Sequence, residues 1–252
     1  MAVGQDTVFG PTQAFGPATV LVGQSIGTPA FFSCSINGTA PGSCDASSTT
    51  TIQVIDVTTN TGDLVWLQVV GVDTSTVLSS VVGNPGSVSF TQVPTASPCV
   101  DTTEAGWIYY HVNTAALTSI TVTFAASTVT KTALVAGHAT APSVTAVSGT
   151  PSKSTTTNGA ANAMLSSGTT TPSVNGSLFV GNFVSLTGTP SVGTAVAWTQ
   201  GYAQTFSSGT VFMTALMEWY IQPIASALDA TASVNVMTNS GDVCAQVVAF
   251  AP

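Results

Sequence analysis

The fold is decided by Thr-Gly-Asp-Leu-Val-Trp-Leu-Gln-Val-Val-Gly-Val, which runs from Thr61 to Val72. A Gly-Asp turn signal leads directly into the longest strongly β-forming apolar run of the chain. The apolar residues follow one another instead of alternating with polar ones. This pattern predicts a strand that is buried on both faces, or nearly so.

A similar motif returns near the C-terminus. Residues 60–70 contain Asn-Thr-Gly-Asp-Leu and then Gln-Val-Val, and residues 239–248 contain Asn-Ser-Gly-Asp-Val and then Gln-Val-Val, with one residue fewer between the two parts. We expect the two strands to lie in one core and to share a sheet, although they come from opposite ends of the chain.

Short apolar runs separated by Gly, Pro and Asn turn signals cover most of the sequence, and almost no helical period is present. The pattern predicts an all-β protein, a jelly-roll-like β-sandwich of two antiparallel sheets. The predicted strands are 50–57, 64–72, 77–82, 87–93, 107–112, 120–125 and 133–138, followed by 163–165, 178–186, 195–203, 211–221, 230–236 and 243–250.

The domain organisation follows from the Gly and Pro content. Residues 1–30 alternate Gly, Pro and short apolar pieces, which predicts an extended N-terminal arm with Phe9 and Phe15 as possible assembly contacts. Residues 31–252 are predicted to form a single β-sandwich domain. A Ser/Thr/Pro-rich stretch at about 140–160 is typical of a domain boundary. Because the two similar strands are expected in one sheet, we interpret it as a long crossover loop.

The composition excludes some partners. Of the 252 residues, 5% are charged, arginine is absent, and the formal net charge is −8. Phosphate neutralisation by Lys and Arg supplies most non-specific nucleic-acid affinity, so nucleic acid is not expected as a partner. Binding to an anionic membrane surface and membrane insertion are not expected either. No secretory signal is visible, which fits a mature product or release by lysis.

The scarcity of charge predicts protein interfaces. Sheet edges usually carry Lys as a guard against edge-to-edge pairing, and this chain has only Lys131 and Lys153. We therefore expect a homo-oligomer, or attachment to a capsid or surface lattice. The alternative is a monomer with a hydrated Ser/Thr surface.

Four cysteines allow two disulfide interpretations. Cys34 and Cys44 flank a turn-rich loop that a local bridge would close, and this is the preferred pairing. A bridge between Cys99 and Cys244 is the second possibility, although Cys244 also suits a small buried apolar residue.

Several short patterns suggest chemistry, and each has a simpler explanation. Gly-Gln-Ser-Ile-Gly at residues 23–27 matches a nucleophile elbow around Ser25, but no helix is predicted after it. His111 and His138 are expected on neighbouring strands, yet two histidines are too few for a stable metal site. We therefore predict no catalytic residues and no enzyme.

Calcium is the one cofactor that the sequence leaves open. Asp56, Asp63 and Asp73 lie around one strand, and Asp101 and Glu104 share a loop. No calcium-loop motif is present, and Asp63 follows Gly62, where it suits a turn. We expect no cofactor.

The tryptophans are expected to anchor the packing between sheets. As an alternative, exposed Trp198, Tyr202 and Trp219 would stack on sugar rings in a carbohydrate-binding or adhesive module.

Five segments together resemble the Ser/Thr-rich jelly-roll domains of bacterial surface proteins and phage virion proteins. They are Gly-Asp-Leu-Val at 62–65, Trp-Ile-Tyr-Tyr at 107–110, Ile-Thr-Val-Thr-Phe at 120–124, Gly-Ser-Leu-Phe-Val-Gly at 176–181 and Val-Cys-Ala-Gln-Val-Val-Ala-Phe at 243–250. The resemblance implies a single jelly roll with a structural or attachment role. The predicted function is a non-enzymatic subunit that self-assembles or decorates a particle, in a virion or on an extracellular surface.

Overall fold

The computed structural model describes residues 26–32, 51–54, 57–71, 78–100, 105–112, 115–125, 132–140, 147–159, 163–185, 188–192, 198–208, 211–236 and 241–252. Regular structure in these ranges is entirely β-strand, so the all-β prediction is confirmed. The first half of the chain contains β1 (Ala30–Phe32), β2 (Thr51–Val54), β3 (Leu64–Gly71), β4 (Leu78–Asn84), β5 (Val88–Ser89), β6 (Thr91–Gln92), β7 (Cys99–Val100), β8 (Ala105–Val112), β9 (Ser119–Phe124) and β10 (Thr132–Ala139). The second half contains β11 (Ser152–Gly159), β12 (Ala163–Thr170), β13 (Ser177–Ser185), β14 (Gly188–Val192), β15 (Thr199–Ser208), β16 (Val211–Gln222), β17 (Leu228–Val236) and β18 (Gly241–Phe250).

The described strands form four antiparallel sheets, and the predicted number of two is wrong. In the first half, the N-inner sheet has the order β1-β10-β3-β8-β6, with β7 also paired to β8, and the N-outer sheet has the order β2-β9-β4-β5. In the second half, the C-inner sheet has the order β11-β18-β13-β16-β15, and the C-outer sheet has the order β12-β17-β14. The described part of the chain therefore builds two sandwiches, one from each half.

The side chains of β3 show how the layers stack. Val65 and Leu67 belong to a cluster that reaches Val122 and other residues of the N-outer sheet. Leu64 and Trp66, on the opposite face, belong to a cluster formed with residues of the C-inner sheet. Every residue of β3 is buried, so the predicted strand with two buried faces is confirmed.

The second half repeats this arrangement. Val180 of β13 and Val248 of β18 face the N-inner sheet. Phe179 and Phe183 of β13 face the C-outer sheet. The layer order is N-outer, N-inner, C-inner, C-outer, and the two inner sheets pack face to face.

The two similar sequence motifs lie in different sheets. The predicted common core is confirmed, because Trp66 of β3 stacks on Phe250 of β18 with ring centroids 6.2 Å apart. The predicted common sheet is wrong, because β3 belongs to the N-inner sheet and β18 to the C-inner sheet. An apolar run indicates that a strand lies in an inner layer. It does not indicate which strands are the hydrogen-bonded neighbours of that strand.

A structural repeat relates the two halves. β3 lies between β10 and β8, and its counterpart β13 lies between β18 and β16. Both strands begin after a glycine of positive φ, which is 92° at Gly62 and 77° at Gly176. Leu64 and Leu178 are the first apolar residues of the two strands, and both are buried between the inner sheets. These glycines permit the left-handed turn that aims each strand into the core.

The loop predicted at about 140–160 is only partly a loop. Ser152–Gly159 forms β11, which pairs with β18 along the margin of the C-inner sheet. Threonine and serine suit a strand with a wet face as well as they suit a loop, so composition could not separate the two. Residues 141–146 lie outside the described part of the chain.

Residues 147–151 join the two sandwiches and are bonded to both. The Thr95 hydroxyl of the first half donates to Pro151 O over 2.9 Å. The Thr170 hydroxyl of the second half donates to Thr150 O over 3.1 Å. Ser148 N donates to Ala249 O over 2.8 Å. This connection is docked on the protein at several points.

Candidate functional site

The three aromatic residues proposed for sugar stacking do not share a face. Trp198 is buried in the cluster between the C-inner and C-outer sheets. Tyr202 and Trp219 are partly buried against the cluster between the two inner sheets. Burial raises the pKa of the Tyr202 hydroxyl above its ordinary value of 10.0. These side chains act as packing anchors at two different interfaces.

A shallow cavity does lie beside Trp198. Its volume is about 300 Å³, and its wall includes the ring of Tyr220, which lies 6.1 Å from the Trp198 ring. Ile224 at its rim is 67% exposed. The lining residues are Tyr220, Gln222, Pro223, Ile224, Ser226, Ala227 and Leu228. The cavity offers an aromatic face, an amide and apolar surface, which suit a neutral ligand better than an ionic one.

Asp63 and His138 form a buried polar pair. Asp63 is 1% exposed, and its Oδ2 lies 3.1 Å from His138 Nδ1. The same oxygen accepts a hydrogen bond from Asn60 N over 2.8 Å, so Asp63 closes the turn before β3. The ring of Phe32 stacks on His138 at 4.6 Å. Through these contacts the Asp63 carboxylate stabilises the turn before β3 and binds His138 of the neighbouring strand β10.

The prediction that His111 and His138 lie on neighbouring strands is wrong. They lie on β8 and β10, which flank β3, and each is opposite Val65 in its ladder. The His111 ring packs against Phe90 at 5.6 Å. Desolvation by burial holds the pKa of His111 below 6.5, and a backbone hydrogen bond involving Ser89 partly opposes this shift. One intervening strand therefore separates the two imidazoles.

Other predicted site residues lie outside the described residues. They are Phe9 and Phe15 of the arm, Ser25 of the Gly-x-Ser-x-Gly motif, Cys34 and Cys44 of the local bridge, and Asp56, Asp73, Asp101 and Glu104 of the calcium hypothesis. Among the described residues, no group of three His, Cys, Asp or Glu side chains lies close enough to hold a metal ion.

The second disulfide interpretation matches the structure. Cys99 of β7 and Cys244 of β18 are bonded, with Cα atoms 6.0 Å apart. β7 belongs to the N-inner sheet and β18 to the C-inner sheet, so the bond crosses the interface between the two halves. Trp66 Nε1 crosses the same interface and donates to Met217 Sδ over 3.1 Å. Two features of the sequence pointed to this bond. The number of cysteines is even, and Cys244 lies in an apolar run.

The sheet margins differ in charge. β11 carries Lys153, whose ammonium donates to Pro98 O in the other half. β15, at the opposite margin of the C-inner sheet, has the sequence Thr-Gln-Gly-Tyr-Ala-Gln-Thr-Phe-Ser-Ser and contains no charged residue. Its residues Thr199, Gln200 and Ala203 are exposed. In the C-outer sheet, the marginal strand β12 is also uncharged and exposes 58% of Met164. These uncharged margins are the candidate interaction surface.

Sequence reasoning did not identify the cavity residues Tyr220, near the end of β16, and Ile224, in the loop that follows, because neither segment carries a motif. It also overlooked Gln68, Asn182 and Gln246, three amides that are completely buried between the inner sheets. A polar residue inside an otherwise apolar run was the available signal for these three positions.

No helix among the described residues has the length and hydropathy needed to span a membrane. Comparisons with protein-family models, with curated proteins and with solved structures find no match for this chain.

Proposed function

We propose that this protein is a non-enzymatic structural subunit that assembles with copies of itself, or decorates a larger particle, in a virion or an extracellular surface structure. The observation that carries the proposal is the uncharged margin strand β15, Thr199–Ser208. A sheet edge presents unpaired N–H and C=O groups, and natural edges are usually guarded by charge, proline or bulges. β15 carries neither charge nor proline along its ten residues, and its ladder with β16 has one register irregularity, between Gln200 and Tyr202. The regular part of this edge, from Tyr202 to Ser208, is suited to pairing with another protein chain.

The strand order supports the proposal. The two-residue strands β6 and β7, which both pair with β8, are left out of this numbering. With β1, β2, β3, β4, β5, β8, β9 and β10 counted as strands one to eight, the first half has the orders 1-8-3-6 and 2-7-4-5. With β11 to β18 counted in the same way, the second half has the orders 1-8-3-6-5 and 2-7-4. We infer that each half is a jelly roll, the architecture used by many viral capsid and lectin domains. This support rests on an analogy between folds.

The disulfide between Cys99 and Cys244 supports the proposed location. Structural disulfides persist in oxidising compartments and on virion and cell surfaces, and they are rare in the cytosol. A covalent link between the two sandwiches also suits a subunit that must keep its shape inside an assembly.

Self-assembly can be tested with a charge placed on the β15 margin. Ala203→Lys adds a positive charge at an exposed position of this strand. Light scattering coupled to size-exclusion chromatography should give the unmodified protein a mass well above the 25.2 kDa of one chain, and the variant a lower mass. The reason is that a Lys on a sheet edge opposes edge-to-edge pairing.

Ala116→Lys is the matched control, because it adds the same charge at an exposed loop residue. It should assemble as the unmodified protein does. A 25.2 kDa mass for the unmodified protein at every concentration would contradict self-assembly. If the mass of the assembly fell equally in both variants, the contact between subunits would not be at β15.

A binding module is the second candidate, and the cavity beside Tyr220 favours it. An aromatic ring in a shallow cavity with a nearby amide is suited to stacking and hydrogen bonding with a sugar. The relevant residues would be Tyr220 and Gln222, which line the cavity, whereas Trp198 is buried and its ring packs near that of Tyr220. In calorimetric titrations with neutral oligosaccharides, Tyr220→Ala should abolish binding, whereas Trp219→Phe, on the other sheet face, should retain it. Absence of heat with the unmodified protein would reject this candidate.

A further inference from the structure

Three buried amide side chains lie between the two inner sheets. Gln68 lies in the middle of β3, and Asn182 and Gln246 are directly opposite each other in the ladder of β13 and β18. All three have no exposed surface. Gln68 and Asn182 are equivalent in the structural repeat, because each comes four residues after the first leucine of its strand. Polar groups thus occupy the centre of an interface that is otherwise apolar.

The two glutamines reach across the interface in opposite directions. Gln68 Nε2, from the first half, makes a long hydrogen bond of 3.4 Å to Phe183 O in the second half. Gln246 Nε2, from the second half, donates to Ala96 O and, over 3.3 Å, to Gly106 O in the first half. Each half therefore offers an amide to the backbone of the other half.

Four polar atoms of these side chains have no hydrogen-bond partner among the residues that the structure describes: Gln68 Oε1, Gln246 Oε1, and both Oδ1 and Nδ2 of Asn182. An unpaired buried polar group costs about 1–3 kcal/mol, so four of them together would consume much of a domain's stability. Buried polar groups in native proteins are almost always paired, with ordered water where no protein group is available.

The unpaired atoms are three acceptors and one donor, and water can both donate and accept. A buried water typically makes about three hydrogen bonds to groups of this kind. A cation would have only neutral amide oxygens as ligands, and burial of an uncompensated charge is far more costly than burial of water. The space beside Gln246 depends on Gly106, since a Cβ on Gly106 would lie 3.0 Å from Gln246 Oε1.

We propose that the interface between the inner sheets contains a binding site for ordered water, formed by Gln68, Asn182 and Gln246. The water links the two sandwiches at the centre of their contact by bridging amides of both halves. This site is independent of the proposed function, because it is enclosed within one chain.

A crystal structure of the full chain, at a resolution that shows ordered solvent, tests the proposal directly. We expect at least one solvent peak about 2.7–3.2 Å from polar atoms of two or more of the three amides. Direct amide–amide hydrogen bonds with no such peak would overturn the proposal. A peak with six or more oxygen ligands at about 2.3–2.6 Å would also overturn it, because that geometry indicates a calcium ion.

Nuclear magnetic resonance gives a second test in solution. The side-chain NH₂ of Asn182 should show a cross-peak to a long-lived water molecule, and Asn182→Leu should remove the water cross-peaks of the Gln68 and Gln246 amides. Gln222→Leu is the control, because it removes a buried amide that lies outside the contact between the inner sheets, in the wall of the shallow cavity next to Tyr220. A resolved Asn182 signal without a water cross-peak in the unmodified protein would refute the site, even if the leucine variant did not fold.

Discussion

Gly149 lies in the connection between the two sandwiches, residues 147–151, and its Cα faces the backbone of Thr171. Its φ is +77°, a left-handed conformation that side chains rarely adopt, and a Cβ there would lie 1.9 Å from Thr171 O. Gly62 also has a positive φ, of +92°, but a Cβ there would meet nothing within 4 Å. A comparison of the two positions therefore distinguishes the cost of the left-handed conformation, present at both, from the cost of a steric clash, present only at Gly149.

Gly149→Ala should lower the free energy of unfolding by roughly 3–5 kcal/mol, because it adds a clash with backbone to the cost of the left-handed conformation. Gly62→Ala should lose only about 1–2 kcal/mol, from strain alone. Urea unfolding of both variants measures the difference. Equal losses would show that residues 147–151 can shift away from Thr171 without cost.

His111 should make stability depend on pH. Burial lowers its pKa below the ordinary value of 6.5, so the unfolded chain binds more protons than the folded chain once the pH falls below about 6.5. The free energy of unfolding should therefore decrease as the pH falls through this region, until the folded imidazole is also protonated.

His111→Phe keeps an aromatic ring against Phe90 and removes the titration. We expect the variant to lose less stability than the unmodified protein between about pH 7 and pH 5.5, in urea unfolding at each pH. Identical pH dependence in the two proteins would show that His111 does not sense this range.

At the scale of elements, the bond between β7 and β18 holds the two sandwiches together. It closes a loop with a sequence separation of 145 residues, and the chain-entropy model gives about 5 kcal/mol for a loop of this length. The packing of two inner sheets already restricts the same strands in the folded state. The disulfide therefore acts mainly by limiting the unfolded chain.

Cys99→Ala combined with Cys244→Ala should lower the free energy of unfolding by about 4–5 kcal/mol, measured by denaturant unfolding without a reducing agent. Single Cys99→Ala is the control, since it breaks the same bond and should lose a similar amount. A loss below about 1 kcal/mol would mean that the unfolded chain already keeps these strands close together.

Strand positions were the most predictable part of the fold. The run from Leu64 to Gly71 was identified because burial on both faces leaves an unbroken apolar pattern. The number of sheets was not predictable, because a strand in the middle of two stacked sandwiches has the same local pattern as one in a single large sandwich. β11 was mistaken for a loop because its Ser and Thr residues suit both states.

The sequence predicted an uncharged sheet edge as the interaction surface, but it did not predict which strand forms that edge. Scarce charge indicated unguarded sheet edges, and β15 is one. Which strand lies at a margin depends on the order of strands in space, which no local pattern encodes. The amides Gln68, Asn182 and Gln246 were visible as polar residues in apolar runs, but their convergence depends on the packing of two sheets.

At the scale of the whole molecule, two sandwiches pack through their inner sheets and leave the outer sheets and margins for other contacts. The chain carries ten acidic and two basic residues, for a net charge of −8 at neutral pH. Because the charges are few, mutual repulsion between copies depends almost entirely on the ionisation of the carboxylates. Protonation of the carboxylates should therefore promote association of folded subunits.

Static light scattering should rise as the pH falls from about 7 toward the isoelectric point of about 4.1, because the charge repulsion that limits the size of the proposed assembly at neutral pH is lost. High salt at neutral pH should produce part of the same increase by screening that repulsion. A return to neutral pH should reverse the increase if native subunits have associated, whereas aggregates of unfolded chain would persist. Ala203→Lys should weaken the acid-induced increase relative to Ala116→Lys, since only the first variant places its charge on the β15 margin. Scattering that stays flat across this range would show that charge repulsion does not keep the subunits apart.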